Sequence, residues 1–215
     1  RSLPEFSLFT EASSLAGKTI LLEHTLLPYL TRFFSEDKKA QALDSLMKGS
    51  PAESLYFVSN EWQGLQYCPI CYREDSQRYG EPYWHREHQI SLMPLCPKHK
   101  CRLLRYEASH QTIKSKLIPL CSIQCENTDL IVEKWETQLT DILNTFLTLP
   151  YHVCMSDQYS NLRNALINAG FGSSTIHKNY DVVDARKVEE AVKTYFGPAI
   201  HNFYFKRLTQ GQLLR

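Results

Sequence analysis

Cys68-Pro-Ile-Cys71 and, 24 residues further on, Cys96-Pro-Lys-His99 are the residues whose types and spacing most directly specify chemistry. Each pair sets two metal-compatible side chains three positions apart, so each can fold as a knuckle, and the intervening segment can bring the second knuckle opposite the first. Three thiolates and one imidazole saturate a tetrahedral ion. The expected occupant is therefore one structural Zn2+ with no position left for reactive water. Proline directly follows the first cysteine of both pairs and restricts the backbone in the same way, so the two halves look related. A redox-active C-x-x-C belongs in a βαβ context, which this chain lacks. His85 and His88 lie between the knuckles and Cys101 lies just beyond them, but using either histidine in place of His99 would break the paired symmetry. Cys121 and Cys125 form a C-x-x-x-C pair that would need to borrow Cys101, His110 or Cys154 to make a second metal site.

A basic run follows the second knuckle: Lys98, Lys100, Arg102 and Arg105, with no acid among them. Such a run can neutralise phosphates, or it can be a solvated face that compensates an anionic Cys3His centre. A second candidate for phosphate contact lies near the C-terminal end. There two helix candidates resemble a helix-turn-helix in outline, and Lys178, Arg186 and Lys187 would face a groove. The connection is longer than the usual three to four residues, and a helical hairpin with a charged outer face is the competing reading. No nucleophile elbow, Walker loop, H-E-x-x-H or paired acidic motif is present, and His85-Arg86-Glu87 does not complete a deaminase pattern. The expectation is a protein that is not an enzyme.

The elements that must position these residues read as mainly helical. Leu21, Leu22, Leu26, Leu27 and Leu30 recur at helix spacing, with Pro28 expected to kink or end the helix. Ser35 should cap a helix carrying Ala40, Leu43, Leu46 and Met47, with Gly49 past its end. Residues 54–58 fit either a strand or a buried helix, 83–92 read as a helix, and 116–123 as a strand broken by Pro119. Residues 129–148 read as an amphipathic helix with Trp135, Leu139, Ile142, Leu143 and Phe146 on one face. Asp157 should cap one further helix, stopping at Gly170, and Asp184 or Asp181 a second, stopping at Gly197-Pro198. The fold expected is mainly α with a small irregular zinc-ribbon-like module and a helix-turn-helix-like C-terminal unit. The segments are 1–60, 61–110 (the metal module), 111–156 (a connecting strand and helix) and 157–215.

The chain has 215 residues, 24 basic and 23 acidic side chains, and 43% hydrophobic content, enough for a packed core and too much for general disorder. No apolar run approaches the roughly 18 residues that span a bilayer. Seven cysteines, an odd number without a secretion signal, point to a reducing compartment. The first residue is Arg1, which suggests a fragment or a processed chain. The net charge of +1 is a cancellation: the four segments 1–60, 61–110, 111–156 and 157–215 carry −1, +1, −2 and +3. Near-neutrality argues against coating of nucleic acid by bulk charge and leaves a local patch open.

Tyr67-Cys-Pro-Ile-Cys71, Tyr79-Gly80-Glu-Pro-Tyr83-Trp84-His-Arg86 and Leu95-Cys-Pro-Lys-His99 together resemble the TniQ/TnsD family of transposon target-selection proteins. Residues 23–28 and 162–197 look similar to flanking stretches of the same family. Two departures stand out: Lys100 replaces the glycine usual after the knuckle histidine, and the usual N-terminal opening is absent. The resemblance implies a non-enzymatic adaptor, bacterial, cytoplasmic and nucleoid-associated, with no membrane contact. It would bind double-stranded DNA at the insertion site, or join an RNA-guided effector complex, and recruit an AAA+ ATPase transposition regulator that engages the transposase. A protein-only adaptor with little DNA contact is the alternative reading.

Overall fold

In the computed structural model, which describes residues 16–50, 64–90, 92–106, 118–127, 131–173 and 182–196, the N-terminal leucines form two helices. Helix α1 (Gly17–Glu23) is followed by α2 (Leu27–Leu30). Pro28 sits in the first turn of α2, where its missing N–H costs nothing, so it starts a helix instead of ending one. Thr25 spans the turn: its Oγ1 donates to Leu21 O and accepts from Leu27 N. Ser35 precedes α3 (Glu36–Met47) in an extended conformation without a side-chain cap bond, and Glu36 and Asp37 place negative charge in the first turn. The buried face of α3 is Lys39 and Ala42, backed by Leu43, Leu46 and Met47; the expected Ala40 is exposed.

The knuckle region is held by strands β1 (Leu65–Tyr67) and β2 (Leu104–Tyr106), which pair antiparallel with Leu65 opposite Tyr106 and Tyr67 opposite Leu104. A Cβ at Gly64 would stand 2.4 Å from Tyr106 O at a φ of +85°, so only glycine fits there. Helix α4 (Pro69–Tyr79) follows β1 and ends at Gly80 in the left-handed conformation. The helix expected over 83–92 shrinks to one 3₁₀ turn, Arg86–Gln89. Its last side chain explains part of this. Gln89 exchanges hydrogen bonds with the backbone of Gln66, accepting from its N–H (3.1 Å) and donating to its carbonyl (2.7 Å), and so stands in for a third strand. The strand expected over 116–123 is a 3₁₀ turn at Leu120–Ser122.

Helix α5 (Lys134–Thr148) opens with a capping box between Glu133 and Glu136. Its buried face is Glu136, Thr140, Leu143 and Leu147, rotated from the face expected, and Ile142 is 51% exposed. Leu143 and Leu147 pack with Ile90 and Met93, flanked by Leu26, Tyr29, Leu92, Leu103 and Leu139. Arg32, only 1% exposed, closes the far end of α5. It donates to the carbonyls of Phe146 (2.8 Å), Leu149 (2.7 Å), Pro150 (3.1 Å) and Val153 (3.1 Å). Buried Lys39 adds bonds to Tyr151 O and Val153 O.

The chain divides into two compact units, Arg1–Cys154 and Met155–Arg215. The second contains α6 (Ser156–Leu166), a π turn Ile167–Phe171 with Gly170 left-handed, β3 (Gly172–Ser173), β4 (Val182–Val183) and α7 (Ala185–Phe196). Asp157 lies in the first turn of α6 instead of capping it, the N-cap being Met155. Asp184 does cap α7, accepting from Arg186 N and Lys187 N. β3 and β4 pair antiparallel, so the connection between α6 and α7 includes strands, where a helix-turn-helix would use a short turn. No residue of this unit whose burial is described is fully buried. Residues 54–58, His110, Lys178 and Gly197-Pro198 lie outside the described residues. No helix among those described is long and apolar enough to cross a membrane.

Candidate metal centre

Both knuckles have the same local construction. Cys68 caps α4, its Sγ accepting from Cys71 N at 3.4 Å, and Cys96 Sγ accepts from His99 N at 3.4 Å. The second knuckle is closed by Lys100 N donating to Cys96 O (2.9 Å) and Cys96 N donating to Cys101 O (2.8 Å). Closing it puts Lys100 at φ +53°, the left-handed region where glycine costs least. That accounts physically for the family's glycine at this position.

The four expected donors meet. The ligand atoms of Cys68, Cys71, Cys96 and His99 all lie within 4.8 Å of one another. His99 Nδ1 is 3.4 Å from Cys68 Sγ, 3.3 Å from Cys71 Sγ and 3.7 Å from Cys96 Sγ, and the Cys71 and Cys96 sulfurs are 3.7 Å apart. Around a tetrahedral ion with metal–sulfur bonds of about 2.3 Å, neighbouring sulfurs stand about 3.8 Å apart. The residues therefore fit one metal ion, and no disulfide competes for the thiols. The three cysteines are buried and His99 is half-buried. Thiols packed this closely share one negative charge. Hydrogen bonds from Cys71 and Cys96 push Cys68 down, while Cys71 is pushed up, Cys96 is raised to about 11 by its bond to Cys68, and Cys101 is raised to about 12 by burial. A divalent cation is the kind of charge that lets several such thiols ionise together.

Around the donors lie Glu74 and Asp75, which sequence reasoning did not single out, beside His85, Glu87 and His88, which it did. Glu74, on α4, places Oε2 3.1 Å from His99 Nε2 and also binds Lys98. Asp75 Oδ2 is 2.7 Å from His85 Nε2, and Glu87 Oε1 is 3.3 Å from His85 Nδ1. Burial pushes His85 down, but Glu87 and Asp75 outweigh it and leave its pKa raised. His88 is 1% exposed, neither ring nitrogen has a hydrogen-bond partner among the described residues, and burial lowers its pKa to about 4. Glu74 and His99 are separated by 24 residues and lie on different elements, a spacing that carries no recognisable signal, so Glu74 was not legible as a neighbour of the site.

The Tyr79–Arg86 motif does structural work among the described residues. Gly80 ends α4, Trp84 Nε1 donates to Ile118 O (2.7 Å), and Arg86 Nη1 donates to Leu22 O (2.9 Å) and Thr25 O (3.3 Å), joining the motif to α1. The basic run is largely engaged: Lys98 with Glu74, Lys100 with Asp141 (2.5 Å), and Arg102 with both oxygens of buried Glu136. Arg105 lies on β2, opposite Gln66. In the second unit Arg186 is exposed, and Lys187 Nζ donates to Gly172 O at 2.9 Å. Cys121 is exposed and Cys125 half-buried, and neither joins a metal-competent cluster among the described residues.

Two knuckles joined by a small β-pair bring together three thiols and an imidazole that could hold one metal ion. Residues 3–103 match the TniQ family model, a span that contains all four donors. The match bears out the TniQ/TnsD resemblance read from the sequence, over residues 3–103. Over an alignment of 94 positions that covers 39% of this chain, it is 30% identical to the Escherichia coli protein named Transposon Tn7 transposition protein TnsD. The match covers 18% of that relative's length.

Proposed function

We propose that the chain selects target sites in DNA transposition, as a non-enzymatic adaptor whose metal module is fixed by one Zn2+ ion on Cys68, Cys71, Cys96 and His99. The observation that carries this is the coincidence of the TniQ match, which spans 3–103, with the donor cluster, which lies wholly inside it. The TnsD relative supports the transposition role by its name. In this reading the protein contacts double-stranded DNA at the insertion site and recruits an AAA+ ATPase regulator. Lys98 and Lys100 reach solvent, and surface ion pairs of this kind are weak, so both can exchange a carboxylate for a phosphate. Exposed Arg186 is the contact offered by the second unit, with Lys178 and Lys187 beside it in sequence.

One observation favours the second reading, a protein-only adaptor docked to an RNA-guided effector or to the ATPase. Lys98, Lys100 and Arg102 each already face a carboxylate, and the bidentate pair with Glu136 gives Arg102 a structural task. Titration of duplex DNA at several salt concentrations separates the two. Direct phosphate contact predicts affinity falling steeply with salt, and the Lys98→Ala/Lys100→Ala pair should lower the slope by roughly two. Absence of binding at low salt, with ATPase binding retained, selects the adaptor.

A further inference from the structure

Among the described helices, only α4 contributes donors to the metal centre. Cys68 is its N-cap and Cys71 lies in its first turn, so two of the four donors belong to it. Its inward side carries Cys71 and Asp75, both buried. Arg73 and Gln77, one turn apart, form the opposite ridge, and both are exposed, as is Arg78 beside them. The arginines of the first unit differ in what they touch. Arg32 is spent on four carbonyls, Arg86 on those of Leu22 and Thr25, and Arg102 on Glu136. Arg73 and Arg78 pair with no carboxylate among the described residues. The Arg78 guanidinium lies over the Tyr79 ring, 5.2 Å from its centre, a contact that leaves its N–H donors uncommitted. The acids of α4 are already answered, Glu74 by Lys98 and Asp75 by His85. Tyr79 and Tyr83, both exposed, stand at the end of the helix with hydroxyls of the kind that also bond phosphate.

We propose that the exposed side of α4, through Arg73 and Arg78, is the principal duplex-DNA contact of the first unit. The inference rests on the DNA reading above and moves its weight from the basic run to the helix. Lys98, Lys100 and Arg102 must each release a carboxylate before they can meet a phosphate, whereas Arg73 and Arg78 release none. A guanidinium also presents its donors in a planar fork that matches phosphate oxygens, which an ammonium does not. A helix is the element that a major groove admits, and its outward side chains then reach the phosphates on either wall. The metal acts here through geometry. An ion on Cys68 and Cys71 fixes the start of α4, and with it the places from which both arginines reach out.

The test uses the full chain and a fluorescein-labelled duplex of mixed sequence, with anisotropy read at salt concentrations from about 50 to 200 mM. Arg73→Ala/Arg78→Ala should reduce the slope of log affinity against log salt by roughly two, at about 0.9 per phosphate contact. Both side chains are exposed, so the fold and the metal content should not change. Arg73→Lys/Arg78→Lys, which keeps both charges, should keep the slope while losing part of the affinity. Lys98→Ala/Lys100→Ala should lose less affinity at the lowest salt than the arginine-to-alanine pair. Lys18 and Lys38, exposed on α1 and α3, control for bulk charge, and Lys18→Ala/Lys38→Ala should leave the slope near wild type. An unchanged slope in Arg73→Ala/Arg78→Ala would overturn the proposal. So would an equal fall in the Lys18/Lys38 control, or a larger loss from the Lys98/Lys100 pair. Wild-type protein that fails to bind the duplex even at low salt would instead overturn the DNA reading beneath it.

Discussion

Two polar hubs organise the first unit, and they solve the same problem by opposite means. At one, three thiols and an imidazole converge from two knuckles and require an added cation before they can be charged together. At the other, Arg32 and Lys39 bring the cations, and the partners are six carbonyl bonds at the end of α5 and the loop beyond it. Phe146 O is one of the unpaired acceptors that a helix C-terminus leaves, at the negative end of the helix dipole, and the other acceptors belong to the C-cap Leu149 and the loop that follows it. The first hub is conditional on an ion from solution, whereas the second is complete in the covalent chain. Stability of the knuckle region should therefore follow metal supply, and that of the helical frame should not.

The largest effect that tests this contrast comes from removing the metal. Chelation, or Cys96→Ser, should remove an apparent binding free energy of order 10 kcal/mol. Amide exchange protection should be lost across residues 64–106 while α3 and α5 stay protected. Loss of protection throughout would show the two hubs to be one cooperative unit and break the comparison. Next in size, Arg32→Met takes the side-chain donor from the Phe146 and Leu149 carbonyls, while Pro150 O keeps Val153 N and Val153 O keeps Lys39, and should cost about 2–5 kcal/mol in urea unfolding. Arg32→Lys should recover only part of this, because an ammonium lacks the planar fork.

The smallest effect has the opposite sign. His88 is a buried polar group with neither ring nitrogen partnered among the described residues, so His88→Leu should stabilise the fold by about 1 kcal/mol at pH 7. Its folded pKa of about 4 lies below the ordinary value of 6.5. The unfolded chain therefore binds its proton first as pH falls. Wild-type stability should decline between pH 6.5 and 4, by roughly 3 kcal/mol over the full interval, and His88→Leu should flatten that decline. Urea midpoints measured at pH 7, 6 and 5 would check both.

The metal hub was legible in the sequence and the cationic hub was not. Two knuckles with fixed ligand spacing are local signals, and so are the Asp184 cap and Gly49 after α3. Arg32 and Lys39 are invisible to that kind of reading, because a lone cation in a helical pattern reads as a solvent-facing side chain. Only carbonyls more than a hundred residues away make their burial tolerable. The same limit rotated the expected face of α5: Glu136 and Thr140 are buried because Arg102 and a backbone carbonyl receive them, while Ile142 is left outside. The helix expected over 83–92 failed because Gln89 satisfies strand β1 with its side chain, a role that periodicity does not encode.

The bonds of Arg32 also impose a schedule on synthesis. Its four acceptors lie 114 to 121 residues downstream, so the N-terminal helices cannot close onto α5 until Val153 has left the ribosome. At about 5–20 residues per second that is a wait of roughly 6 to 24 s. Throughout it, two side chains destined for the interior remain hydrated charges. They keep the emerging segment from collapsing on itself, and they commit to burial only when the chain that receives them exists.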